Sequence, residues 1–331
     1  MLNNDSKYKL IVKYVQEGIM SGRLQKGDWI PSINEFRHMF NLSRDTVFAG
    51  ITELKSRGII ESKQGKGYFV DSTNFQSEYN IFLLFNELNE FKEELFNAFI
   101  ESIDNRNSVN LQFHNYNRDV FDQLLTEAKG KYTTYIVMTG KFLGTEDLLN
   151  SLGGRVYLLD HYDKELHGKY SAVAQDFEQD TYDGLKSGIE YLKQYKRFIM
   201  VQNEAKEPYE RFYGLKRFCQ EFDFECKYLN SIENRRIHEG DVFILVNDRD
   251  LVTIIKQAAK QDLTPGKDFG IISYNETPLK EVLCGGITTL STDFRQMGKT
   301  MASLLGMPGI EAIRNPWRLN IRSSIWSQAL S

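Results

Sequence analysis

Apolar residues recur at helical spacing near the N-terminus, then give way to alternating strand-like and helix-like runs. Ile11, Tyr14, Val15, Gly18 and Ile19 lie on one stripe of a first helix. Ser32, after Pro31, has Glu35 three residues on, the spacing of a capping box that opens a second helix. Asn41 and Leu42 make a turn, and Ser43 caps a third helix whose Val47, Ile51 and Leu54 recur at i, i+4 and i+7. Gly58 ends it. Ile59-Ile60 and Tyr68-Phe69-Val70 then flank Lys63-Gln64-Gly65-Lys66-Gly67, a strand, loop and strand.

The polar stretch 72–79 reads as a linker. Beyond it, strands are predicted at Ile81–Phe85, Val109–Phe113, Tyr135–Met138, Val156–Leu159, Phe198–Val201, Val242–Val246 and Phe269–Tyr274. Helices are predicted between them at Glu90–Asn105, Val120–Lys129, Thr145–Leu152, Thr181–Tyr195, Glu210–Glu221, Asp250–Gln261 and, last, Phe294–Leu305. Apolar strands separated by amphipathic helices predict parallel sheets built of βαβ units.

In open sheets of this kind ligands bind outside the carboxyl ends of the strands. Those ends carry Asn86 and Glu87, Thr139, Asp160, then Gln202, Asn203 and Glu204, then Asn247 and Asp248, and finally Asn275 and Glu276. Planar amides and carboxylates suit a ligand rich in hydroxyls, because each makes two hydrogen bonds. Tyr157, His161, Tyr162, Phe177, Tyr209 and Tyr274 are candidates to stack on a sugar ring; for any one of them, loop capping or core filling stays open.

Three helices and a wing over residues 1–71 make a winged helix-turn-helix, whose second motif helix enters the major groove by its N-terminal end. That end offers Ser43, Arg44, Asp45 and Thr46; the wing offers Lys63, Gln64 and Lys66; Ser32 and Asn34 open the preceding helix. Arg44 is a candidate for phosphate or guanine, and the wing lysines for phosphate or the minor groove. Pro31-Ser32, Glu35, Leu42-Ser43-Arg44, Thr46-Val47, Leu54, Gly58-Ile59-Ile60, Gly65-Lys66-Gly67 and Phe69-Val70 resemble the DNA-binding domain of GntR-type bacterial regulators. Asn34 and Phe48 stand where many members carry Arg, and Asp45 where Thr is frequent, so the resemblance implies a fold and not an operator sequence.

A second, diffuse resemblance spans 80–331. Val173-Ala174-Gln175-Asp176, Gly184, Leu192, Arg211-Phe212-Tyr213-Gly214-Leu215, Asn247-Asp248, Tyr274-Asn275-Glu276 and Gly298 are similar to the effector region of LacI/GalR-type regulators. That resemblance implies a two-lobed, periplasmic-binding-protein-like α/β domain with three crossover strands and a cleft. It further implies that Arg211, of an R-x-x-G motif, clamps a sugar, that Asn247 lines the cleft, and that Asp160 faces the ligand. Asn275 replaces the family's Asp beside Tyr274, and Asn86 closes the first strand.

Composition changes this picture in three respects. With 331 residues, 41% hydrophobic and 26% charged, the chain is long enough for two or three ordinary domains. Residues 1–71 hold 11 Lys and Arg against 8 Asp and Glu, a net of +3, and the remainder 30 against 37, a net of −7. A weakly basic head on an acidic body fits DNA contact by the head alone, through a dimer. Cys219, Cys226 and Cys284 lack metal-ligand spacing, so neither a metal nor a disulfide framework is expected, and no cofactor motif occurs. No stretch of 18 apolar residues occurs, and the first 30 have no apolar core of a signal, which predicts a cytoplasmic protein away from membranes. The expectation is a sugar-responsive transcription repressor: a homodimer that binds operator DNA, with the sugar between the lobes of 80–331. The alternative is a sugar-binding sensor or sugar-active enzyme that does not act through DNA. No GxSxG, Walker or GxGxxG motif supports an enzyme.

Overall fold

The computed structural model describes residues 7–73, 79–103, 107–203, 206–233, 235–305, 307 and 309–326. The head consists of α1 (Lys9–Met20), α2 (Ile33–Phe40), α3 (Arg44–Ser56), β1 (Ile60–Lys63) and β2 (Gly67–Val70). Its boundaries follow from local chemistry. Ser32 Oγ accepts from Glu35 N, and the Glu35 carboxylate accepts from Ser32 N at 2.7 Å, a complete capping box. Asn41 closes α2 in the left-handed region, φ 52°, and the Ser43 side chain caps α3. β1 and β2 pair antiparallel, with Ile60 opposite Val70. Ile11, Val15, Phe36, Val47, Ile51, Leu54, Ile60 and Val70 are buried together. Gly50 lets α1 and α3 close, since a Cβ there would sit 2.7 Å from Ile11 Cβ.

The remaining elements alternate. They run β3 (Asn80–Phe85), α4 (Glu90–Ser102), β4 (Ser108–Phe113), α5 (Arg118–Ala128), β5 (Thr134–Val137), α6 (Glu146–Asn150), β6 (Arg155–Asp160) and β7 (Ser171–Ala174). Then come α7 (Phe177–Ser187), α8 (Ile189–Leu192), β8 (Arg197–Val201), α9 (Glu210–Phe222), β9 (Glu225–Leu229), β10 (Asp241–Leu245) and α10 (Asp248–Lys260). β11 (Gly270–Tyr274), α11 (Pro278–Val282), β12 (Thr288–Thr292), α12 (Phe294–Leu304), β13 (Ala312–Arg314) and β14 (Trp317–Asn320) complete the series.

The chain divides into two compact units. One holds Met1–Val173 and Gly298–Ala312; the other holds Ala174–Met297 and Ile313–Ser331, so the chain passes from one to the other three times. The head therefore belongs to the first unit. That unit's sheet has the order β13-β7-β6-β5-β3-β4, with β3 parallel to both β4 and β5, and β5 parallel to β6. β3 is apolar throughout and buried from Ile81 to Phe85, as a central parallel strand covered on both faces must be.

The second unit's sheet runs β14-β12-β11-β10-β8-β9, parallel except where β12 meets β14. Phe198, Phe218, Val242, Ile244 and Ile272 pack in one of its buried clusters. α7 and α9 cross at Gly214, where a Cβ would lie 2.2 Å from Glu178 O. The single helix expected over Thr181–Tyr195 is instead α7 and α8, broken at Gly188. A Cβ at Gly188 would meet Leu319 Cδ2 at 2.5 Å, so close packing against β14 requires glycine. Asn105, Glu204 and linker residues 74–78 lie outside the described residues.

Candidate nucleic-acid interface and effector site

On the head, Arg44 and Asp45 are exposed at the start of α3, and Lys63, Gln64 and Lys66 are exposed on the wing. Positive φ at Gly65 (73°) and Gly67 (112°) forms the wing turn, a conformation that favours glycine. Asn34 is exposed on α2, while the Ser32 side chain is committed to its cap. Thr46 departs from expectation. It is buried, and its hydroxyl lies 2.8 Å from Ser43 Oγ, which also accepts from Thr46 N. Ser43 and Thr46 thus spend their hydroxyls on closing α3, and the first turn presents Arg44 and Asp45 to a duplex. Phe48, not among the sequence candidates, is 54% exposed on the same helix.

In the first unit, Asp160 ends β6 with φ 70° and is only 6% exposed. Its carboxylate is ion-paired with Lys92, itself 4% exposed on the first turn of α4. Sequence reading missed Lys92 because nothing in its helix marks it as inward-facing. Asn86 Nδ2 donates to Tyr116 Oη at 3.1 Å, and its Oδ1 accepts from Glu87 N. His114 Nε2 lies 3.0 Å from Met138 O. Burial lowers the His114 pKa, which keeps the ring neutral at pH 7. His114 Nδ1 and Thr139 Oγ1 are buried without a hydrogen-bond partner. Tyr157 is not a stacking face: it is fully buried, and its hydroxyl donates to Leu304 O.

In the second unit, Arg211 on α9 is 6% exposed and lies between two rings, 4.3 Å from the Phe177 centroid and 4.8 Å from that of Tyr274. Its Nη1 donates to Glu207 Oε2 at 2.5 Å, and its Nε is buried without a partner. Tyr274 shares a short hydroxyl contact with Thr181. Burial pushes its pKa up to about 12, against the pull of Arg211. Asn275 follows with φ 62°. The carbonyls of Tyr274 and Asn275 accept from buried Lys280 at 2.8 and 2.9 Å, and Lys280 also meets Asp248 at 2.9 Å. Asn247 serves first as a cap: its Oδ1 accepts from Asp250 N, and its Nδ2 donates to Asp250 Oδ2. Gln202 Nε2 donates to Pro208 O at 3.0 Å, while its Oε1 is buried and unsatisfied. Buried polar atoms seldom lack partners, so those of Arg211 and Gln202 at strand ends are suited to a polar ligand.

Residues 7–70 match the family described as bacterial regulatory proteins, gntR family, and the head is a winged helix-turn-helix of that type. The mannosyl-D-glycerate transport/metabolism system repressor MngR of Escherichia coli is 30% identical over 95 residues, 29% of this chain and 37% of that protein. Other curated relatives are matched over only 12–13% of their length. A LacI family transcriptional regulator from Silicibacter pomeroyi superposes with a TM-score of 0.62 at 13% identity, over 75% of this chain and all of that one. A LacI family regulator from Enterococcus faecium with bound ribose gives 0.60 at 16% identity, over 74% and 98%. These likenesses show that the α/β part has the two-lobed fold of LacI-type regulators. Among the described residues no helix is long and apolar enough to cross a membrane.

Proposed function

We propose that the chain is a DNA-binding transcription regulator, a cytoplasmic repressor that acts as a homodimer and is controlled by a small sugar. Residues 1–71 read an operator, 72–79 link, and 80–331 hold the effector and the dimer contact. No catalytic step is assigned. The observation that carries the effector reading is Arg211: a buried guanidinium between Phe177 and Tyr274, with an unpartnered Nε, at the strand ends where α/β sheets bind ligands. The ribose-bound Enterococcus protein of the same fold supports a sugar as the ligand class. On the head, Arg44 supplies base or phosphate contact and Lys63 and Lys66 phosphate contact. One weakly basic head binds poorly alone, so two heads engage half-sites about 34–36 Å apart. The sugar acts through its different affinity for the DNA-competent and released states.

The test is selection of duplexes from a random-sequence pool by the full chain, followed by mobility shift against free pentoses, hexoses and their phosphates. A selected duplex released by one sugar supports the reading. A pool that yields no duplex refutes DNA binding, and sugar turnover in the same mixtures would establish an enzyme instead.

A further inference from the structure

Asp45, Phe48 and Thr52 recur at i, i+3 and i+7, so they form one stripe along α3. This stripe is one wall of a cleft of about 710 Å³ within the first unit; Gly130, Gly153 and Arg155 of the α/β part contribute to the facing wall. Where the stripe ends, the walls touch. A Cβ on Gly153 would lie 3.6 Å from Thr52 Cγ2. Asn80 Nδ2, at the start of β3, donates to Ser56 O at 2.7 Å. Ser56 closes α3, and a helix leaves its last carbonyls without intrahelical partners. The α/β part supplies one of those partners.

We infer that this contact is a docked state of the head in which it cannot bind DNA. The α/β part holds the reading helix by the stripe that a major groove requires. The inference rests on the DNA-binding reading above. Two arguments carry it. The first is space. A helix with its side chains is about 10–12 Å across and the major groove about 12 Å wide, so an inserted helix leaves no room for protein along its inserted face. The second is chemistry. Asp45 repels phosphate, and Phe48 offers it nothing. Both residues suit a protein wall that carries Arg155 and bare backbone. Gly130 and Gly153 provide that backbone at φ 70° and 81°, in loops where a side chain would be strained. If only a fraction of heads is undocked, the apparent dissociation constant for DNA rises by the inverse of that fraction.

The test is a reversible lock: Thr52→Cys/Gly153→Cys in the full chain, with exposed Cys284 replaced by Ser. A disulfide needs Cβ atoms about 3.5–4.5 Å apart, which the observed approach allows. The probe is the duplex selected by the wild-type chain. Mild oxidation should form the 52–153 bond, mapped by mass spectrometry, and lower duplex affinity about tenfold or more, with recovery on reduction. Excess duplex should slow the cross-linking. Gly153→Asp, which keeps a residue that tolerates the left-handed region, should crowd Thr52 and tighten duplex binding severalfold. Failure of the bond to form, equal affinity of the oxidised and reduced forms, or wild-type affinity of Gly153→Asp each overturns docking and leaves DNA binding intact. A pool from which no duplex is selected overturns both.

Discussion

Replacing Arg211 separates ligand binding from fold integrity, and its surroundings set the expected size of each effect. Arg211→Ala leaves Glu207 without its cation. Removing one partner of a buried pair costs about 3–5 kcal/mol. The Glu207 side chain is 26% exposed, so water offsets part of this, and a loss of about 2 kcal/mol in the second unit is expected. Arg211→Ala/Glu207→Ala removes the stranded charge and should recover part of that loss. Ligand binding behaves differently. A hydrogen bond from a charged group to a ligand contributes about 1.5–3 kcal/mol, so both variants should bind the sugar roughly 10–150 times more weakly. At a sugar concentration 100 times the wild-type Kd, ligand stabilises the wild type by about 2.7 kcal/mol. The variants should gain only about 0.3–1.3 kcal/mol at that concentration. Urea unfolding with and without the sugar measures both quantities on one sample. Mobility shift on the selected duplex should show a double variant that binds DNA and is not released at the wild-type sugar concentration. A double variant with the full wild-type ligand shift would refute Arg211 as a ligand residue.

Arg44→Ala should weaken duplex binding by about 1–3 kcal/mol with relaxed specificity, whereas Lys66→Ala should weaken all sequences alike and flatten the salt dependence by about one unit; fluorescence anisotropy over a salt series distinguishes them. Gly214→Ala places a methyl 2.2 Å from Glu178 O at the α7–α9 crossing, so thermal unfolding should show about 1–3 kcal/mol lost. Asp180 is pushed up to about 6 by burial, against the pull of Arg314. A carboxyl whose pKa is higher folded than unfolded binds more protons in the native state. Its contribution is therefore full below about pH 4 and is lost as pH rises to about 6. Asp180→Asn should flatten that segment of the stability-against-pH curve, and an unchanged curve would refute the assignment.

The head was legible in the sequence because its signals are local. Ser32 with Glu35, Asn41, Ser43 and Gly58 each fix a boundary within four residues, and the structure has the capping box and turns in those places. The central strands were equally legible, since runs such as Ile81–Phe85 are apolar on both faces. The strands missed are those whose burial is not apolar. Thr288–Thr292 reads as polar, yet every residue in it is buried. Its hydroxyls are satisfied from far along the chain: Thr288 by Arg322 O, and Thr289 by Glu276 and Asn320. Edge strand Glu225–Leu229 alternates too weakly to be recognised. For the effector residues, sequence located positions and not partners. Asp160 and Lys92 are 68 residues apart, and no periodicity pairs them. Asn247 was read as a cleft residue where its first use is to cap α10.

Those pairings bear on the charge of the effector. Both buried cations near the strand ends are already matched, Lys92 by Asp160 and Arg211 by Glu207. A phosphate entering either set would compete with the resident carboxylate for its cation. It would leave that carboxylate facing a second anion, in surroundings where an unpaired charge costs about 3–5 kcal/mol. A neutral polyol makes no such demand. Its hydroxyls donate to carboxylate oxygens and accept from guanidinium or amide hydrogens without breaking either pair. They also meet atoms that now lack partners, Arg211 Nε and Gln202 Oε1 in one unit and His114 Nδ1 and Thr139 Oγ1 in the other. Unpartnered donors and acceptors beside neutralised charges favour a sugar over a sugar phosphate, whatever the sugar's ring size.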